Sequence, residues 1–126
     1  MDVLYSFHYN MLRQAPPVNF FRFLYGKIDW DERMLAIKGP RGAGKTTMML
    51  QRIRYDVGDD PSKALYVSAD HYWFYNNSLA ETADIFVQNG GKWLFIDEVH
   101  KYPRWSREIK NIYDAYPQLN IVFSAS

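Results

Sequence analysis

The chain has 126 residues, 48% of them hydrophobic, and a formal net charge of +1; this describes one folded domain with a real core and gives no push toward nucleic acid or an anionic membrane. Having no cysteine, it can hold no disulfide, thiolate zinc site or cysteine nucleophile, which fits a reducing compartment. No apolar run approaches a membrane span, and Met1-Asp2-Val3-Leu4-Tyr5 lacks the basic start of a signal peptide, so a cytoplasmic address is the default.

Taken in order, Val3, Leu4, Phe7 and Met11 form a loose helical stripe within residues 2 to 14. Pro16-Pro17 ends it. Phe20, Phe21, Leu24 and Ile28 suggest a second short helix over 18 to 28, weakened by Gly26. Residues 1 to 33 thus read as a helical lead-in. Tyr25 or Trp30 could stack on a ligand's base, with packing on the core as the plainer alternative.

Met34 to Lys38 reads as the first strand. Then comes Gly39-Pro40-Arg41-Gly42-Ala43-Gly44-Lys45-Thr46, which fits G-x-x-x-x-G-K-[ST]. Glycines let a loop turn its backbone N–H groups around a phosphate. The lysine reaches the β- and γ-phosphates, and the threonine hydroxyl ligates Mg²⁺. The pattern arises by chance in only about a few per thousand chains of this length. A helix from Thr47 to about Val57 completes the strand–loop–helix context it needs.

Gly58-Asp59-Asp60-Pro61 is a turn cluster, and Ala64 to Ser68 a second strand. Residues 69 to 77 are too aromatic for a free loop and should pack on the sheet edge or on a partner. Asp70 and His71 read as solvated loop residues more readily than as a catalytic pair. Ser78 and Glu81 form a capping box for a helix to about Gln88, stopped at Gly90-Gly91. Trp93 to Ile96 is the continuous apolar run of a strand buried on both faces of a parallel sheet. Trp105, Ile109, Ile112, Tyr113 and Tyr116 follow at helical spacing between Pro103 and Pro117. Ile121 to Phe123 is the fourth strand, leading into Ser124-Ala125-Ser126.

The third strand ends in Asp97-Glu98. An aspartate there can hold Mg²⁺, and the adjacent glutamate can deprotonate a water for in-line attack on a γ-phosphate. Both motifs lie at strand C-terminal ends, where open α/β sheets bind ligands. Ser124 or Ser126 could place a hydroxyl between the water and the phosphate, or be an ordinary strand-end serine.

The chain resembles the AAA-type ATPases of the P-loop superfamily, in particular bacterial and archaeal AAA proteins followed by a poorly characterised C-terminal domain. The resemblance rests on Gly39 to Thr47, on Leu94 to Trp105 and on Ile121 to Ser126. It implies a three-layer α/β/α core over 34 to 126 with a mainly parallel four-stranded sheet. It implies that Gly39, Pro40, Arg41, Gly42, Ala43, Gly44, Lys45, Thr46 and Thr47 bind ATP, that Thr46 and Asp97 bind Mg²⁺, and that Glu98 activates water. Ser124 or Ser126 would be the sensor, although Ala125 stands where the family more often has glycine. The family's fifth strand and helical lid are missing, so the first strand is expected at an open edge. The chain is then either the N-terminal part of a longer ATPase or self-associates through that edge.

The leading expectation is slow ATP hydrolysis, because an arginine finger is not assured; Arg41, Arg104 and Arg107 read better as surface residues. The alternatives are a nucleotide-dependent binding module built on Tyr72 to Tyr75 and the Trp105 helix, and a DNA-associated ATPase. The latter would use Lys92, Lys101, Arg104, Arg107 and Lys110, with Trp105 for stacking.

Overall fold

The computed structural model describes residues 1–14, 29–40, 42, 44–56 and 60–125; the helix expected over 18–28, Tyr25, Arg41, Ala43 and Ser126 lie outside the described residues. The elements are α1 (Asp2–Arg13), β1 (Met34–Lys38), α2 (Lys45–Gln51), β2 (Ala64–Ser68), α3 (Leu79–Gln88), β3 (Trp93–Asp97), α4 (Trp105–Ala115) and β4 (Asn120–Ala125). The helix after the phosphate-loop motif does not stay regular. Beyond Gln51 it widens into π-helical turns over Arg52–Asp56.

The four strands form one parallel sheet in the order β1-β4-β3-β2. β1 therefore lies at an edge, as the resemblance implies, and Ala36 and Lys38 on it are exposed. Strand alternation divides the side chains between two layers. Leu65, Val67, Leu94, Ile96, Ile121 and Phe123 pack with residues of α3 and α4. Tyr66, Phe95 and Val122 pack with Met48, Met49, Leu50 and Ile53 on the opposite face. Asp97 and Ser124 continue that second series at the C-terminal ends of their strands. Parity thus puts both on the same side as α2.

Two helix ends follow from short-range chemistry. The Glu81 N–H donates to the Ser78 hydroxyl at 2.9 Å, making Ser78 the N-cap. The Glu81 carboxylate accepts from that same hydroxyl at 3.2 Å rather than closing on the backbone. At the far end Gly90 is left-handed (φ 90°), and the Gly91 N–H donates back to the Phe86 carbonyl at 2.9 Å.

α1 covers the opposite edge of the sheet. Its Leu4 joins the layer under α3 and α4, while Phe7, Met11 and Leu12 pack on the α2 layer. The helix thereby shields β2, whose backbone would otherwise be an open template. Among the described residues no helix is long and apolar enough to cross a membrane.

Arg33 ties the start of β1 to the end of α4. Its guanidinium donates to the carbonyls of Tyr113 (2.9 Å), Tyr116 (3.0 Å) and Leu119 (3.4 Å), and lies over the Tyr113 ring at 3.5 Å. A cation there satisfies carbonyls that the helix leaves free and opposes its dipole. Arg33→Ala should cost on the order of 2–3 kcal/mol in urea unfolding. Arg33→Lys should restore less than half of that, because a point charge cannot serve three carbonyls and stack. Equal stability of all three chains would contradict the assignment.

Candidate active site

The loop between β1 and α2 turns back on its own lysine. Gly42 and Gly44 sit at φ of 85° and 87°, a region that residues with a Cβ rarely adopt, and Gly44 is the N-cap of α2. Lys45, only 8% exposed, donates from Nζ to the carbonyls of Gly39 and, at 3.2 Å, Pro40. Thr46 and Thr47, the next two residues of α2, are half-buried.

Thr46 faces the end of β3. Its hydroxyl donates to Asp97 Oδ2 at 2.5 Å, although 51 positions separate the two residues. Asp97 is 3% exposed, and a carboxylate that deeply buried needs its lone pairs filled. Four donors fill them. Oδ2 accepts from Thr46 and from the Tyr66 hydroxyl, also at 2.5 Å. Oδ1 accepts from the Ser124 hydroxyl and, at 3.1 Å, from the Glu98 N–H.

Ser124 is fully buried, and its oxygen also accepts from the Glu98 N–H at 3.0 Å. Its hydroxyl proton is committed to Asp97. Glu98 itself is left-handed, with φ 54° and ψ 47°, the one described non-glycine residue with positive φ. For a glutamate this is a strained turn of the kind that gathers at functional sites. It starts the short 3₁₀ turn Val99–Lys101, and the half-buried Glu98 carboxylate makes no hydrogen bond among the described residues.

The structure therefore brings Lys45, Thr46, Asp97, Glu98 and Ser124 into one neighbourhood at the C-terminal ends of β1, β3 and β4. A family model described as an AAA domain matches residues 31–126. The chain belongs to the AAA domain family. No curated protein and no solved structure gives a significant match. Membership indicates nucleotide binding and ATPase-type activity in general terms.

The donor set of this AAA domain suits a small hard cation bound together with phosphate. No group of three or more His, Cys, Asp or Glu side chains able to cage a metal occurs among the described residues. What is present is one hydroxyl and one carboxylate side by side, beside a glycine-rich loop. Mg²⁺ characteristically takes one or two protein oxygens and completes its shell with substrate phosphates and water.

No sequence motif marks Tyr66, which stands within the run Ala64 to Ser68. A buried tyrosine needs a partner for its hydroxyl, but naming that partner requires the register of β2 on β3. Tyr66 pairs with Phe95, two residues before Asp97, and a tyrosine is long enough to reach that diagonal position. Burial and the Asp97 charge both push its phenol pKa far above the usual value. The Tyr66 backbone is held as well: its N–H donates to His8 Nδ1 of α1 at 2.8 Å.

Other candidates fall elsewhere. Trp30 packs on the α2 layer, with the Arg52 guanidinium 5.2 Å from its ring centre. His71 caps the 3₁₀ turn Tyr72–Tyr75, its Nδ1 accepting from the Trp73 N–H at 3.0 Å, while Asp70 is exposed. Trp73 and Phe74 pack on the core, leaving Tyr72 and Tyr75 outward, 60% and 81% exposed. A cavity of about 300 Å³ lies there, lined by Phe74, Tyr75, Lys101, Tyr102 and Arg104 among others and by none of residues 39–46. Trp105, the stacking residue of the DNA reading, is half-buried against Phe123 at 5.7 Å.

His8 is 1% exposed, and its Nε2 has no partner among the described residues. Burial lowers its pKa from 6.5 to about 4. Above about pH 6.5 it is neutral whether folded or unfolded, so it adds no pH dependence there. Between 6.5 and 4 the unfolded chain takes a proton that the folded chain refuses, so stability must fall as pH falls. The loss should total roughly 3 kcal/mol over that window. His8→Asn, which keeps an acceptor but does not titrate, should flatten this part of the curve in urea unfolding. An equal slope in both chains would show that His8 is not its source.

Proposed function

We propose that the chain binds Mg-ATP through residues 39 to 47 and hydrolyses it to ADP and phosphate. The observation that carries this reading is the hydrogen bond from Thr46 to Asp97, which joins the phosphate-loop helix to the strand ending in Asp97-Glu98. Lys45, already enclosed by the loop, would exchange carbonyl partners for phosphate oxygens. Thr46 and Asp97 would hold Mg²⁺, which offsets the charge of the phosphates.

The half-buried Glu98 supports hydrolysis over transfer to another acceptor, because its carboxylate is not tied up by described residues. In this mechanism it takes a proton from water as the water oxygen bonds to the γ-phosphorus. The bond from that phosphorus to the β,γ-bridging oxygen breaks, and ADP leaves with the electron pair. Ser124 acts as a support beneath the site, since its hydroxyl serves Asp97 and its oxygen serves the Glu98 N–H. Arg104 and Arg107 are exposed, and turnover is expected to stay slow unless a neighbouring molecule supplies an arginine.

Glu98→Gln keeps the shape and removes the base. It should bind Mg-ATP within a few-fold of the unaltered chain and lose about 100-fold or more in phosphate release. Calorimetry beside a phosphate-release assay decides this. Undiminished turnover in the variant would remove Glu98 from the chemistry, and loss of binding would make its role structural.

A further inference from the structure

Asp97 sits at the centre of the site, yet nothing in its own side chain fixes the plane of its carboxylate. The terminal torsion of an aspartate is broad and roughly two-fold, so orientation must come from partners. Here the partners come from different elements. Thr46 approaches from α2, Ser124 from β4 and Tyr66 from β2, while the Glu98 N–H follows along the chain. Tyr66 and Ser124 therefore grip opposite oxygens from the two strands that flank β3.

Tyr66 is suited to this task because it is immobile. Its side chain is 2% exposed within the α2 layer, its strand is paired to β3, and its N–H is fixed by His8. The hydroxyl is delivered by a rigid ring anchored at both ends. It donates to the same oxygen, Oδ2, that Thr46 meets.

We propose that Tyr66 is a positioning residue for the Mg²⁺ site, holding Asp97 Oδ2 toward Thr46 so that the carboxylate is set before metal and nucleotide arrive. This rests on the Mg-nucleotide reading above and adds to it a residue outside the two sequence motifs. Without the hydroxyl, Oδ2 keeps Thr46 as its partner and Oδ1 keeps Ser124 and Glu98, so the carboxylate can swing about the remaining bonds. Outer partners of metal-binding groups typically matter by 10- to 100-fold in affinity. The alternative is that the hydroxyl serves stability alone, with Asp97 as a convenient acceptor.

The test is Tyr66→Phe, which keeps the buried ring. Mg²⁺ is titrated into the full chain with saturating ADP, and ADP is titrated separately in EDTA. The expected result is roughly tenfold weaker Mg²⁺ binding, with ADP affinity in EDTA within twofold. In phosphate release, the Mg²⁺ requirement should move to higher concentration and excess Mg²⁺ should restore most of the rate. Tyr72→Phe, which removes an exposed hydroxyl, should change none of these. Should Tyr66→Phe not fold, Tyr66→Met carries the same titrations.

An unchanged Mg²⁺ constant in a variant that melts earlier would overturn the proposal and leave Tyr66 a stabilising residue. A chain with native Tyr66 that binds ADP equally with and without Mg²⁺ would overturn the metal reading beneath it. A normal native titration beside an unaffected variant would remove only Tyr66.

Discussion

A carboxylate buried to 3% exposure is the constraint around which this domain is arranged. At that depth the oxygens of Asp97 need partners, and four donors reach them. Each donor depends on a larger feature of the fold. Thr46 requires α2 to leave the glycine-rich loop close to the end of β3. Ser124 requires β4 to lie beside β3, and Tyr66 requires β2 on its other side. A shift of one residue in any strand would turn the donor to the opposite face. The parallel order β1-β4-β3-β2 and the site are thus one arrangement.

The same pattern explains why the periphery matters. β2 is an outer strand, and α1 packs along its edge with His8 accepting from the Tyr66 N–H. At the other side of the sheet, Arg33 fastens the end of α4 to the start of β1, the strand that leads into the glycine-rich loop. Neither His8 nor Arg33 hydrogen-bonds Asp97 itself. Both fix elements that carry the site's residues, and so link stability to chemistry.

What could be read from the sequence was local. Gly39 to Thr46 is a spacing of residue types, Asp97-Glu98 follows an apolar run, and Ser78 and Gly90 are short-range helix signals. The structure gives the strands and helices they imply, including an edge position for β1. What escaped was non-local. Tyr66, His8 and Arg33 act over 31, 58 and at least 80 positions of chain, and their partners appear only once register is known. The left-handed turn at Glu98 was equally hidden, because glutamate is not a residue that announces positive φ. Nor did the helical spacing foretell the π-helical turns after Gln51.

If Thr46 and Asp97, joined across α2 and β3, hold Mg²⁺ beside a bound nucleotide, the metal must change the affinity for ATP. The most direct measurement is calorimetric titration of ATP into the chain in Mg²⁺ and again in EDTA. Saturable one-to-one binding, about tenfold or more tighter with Mg²⁺, is the expected result. Equal affinity in the two buffers, or no binding in either, would contradict the Mg-nucleotide reading.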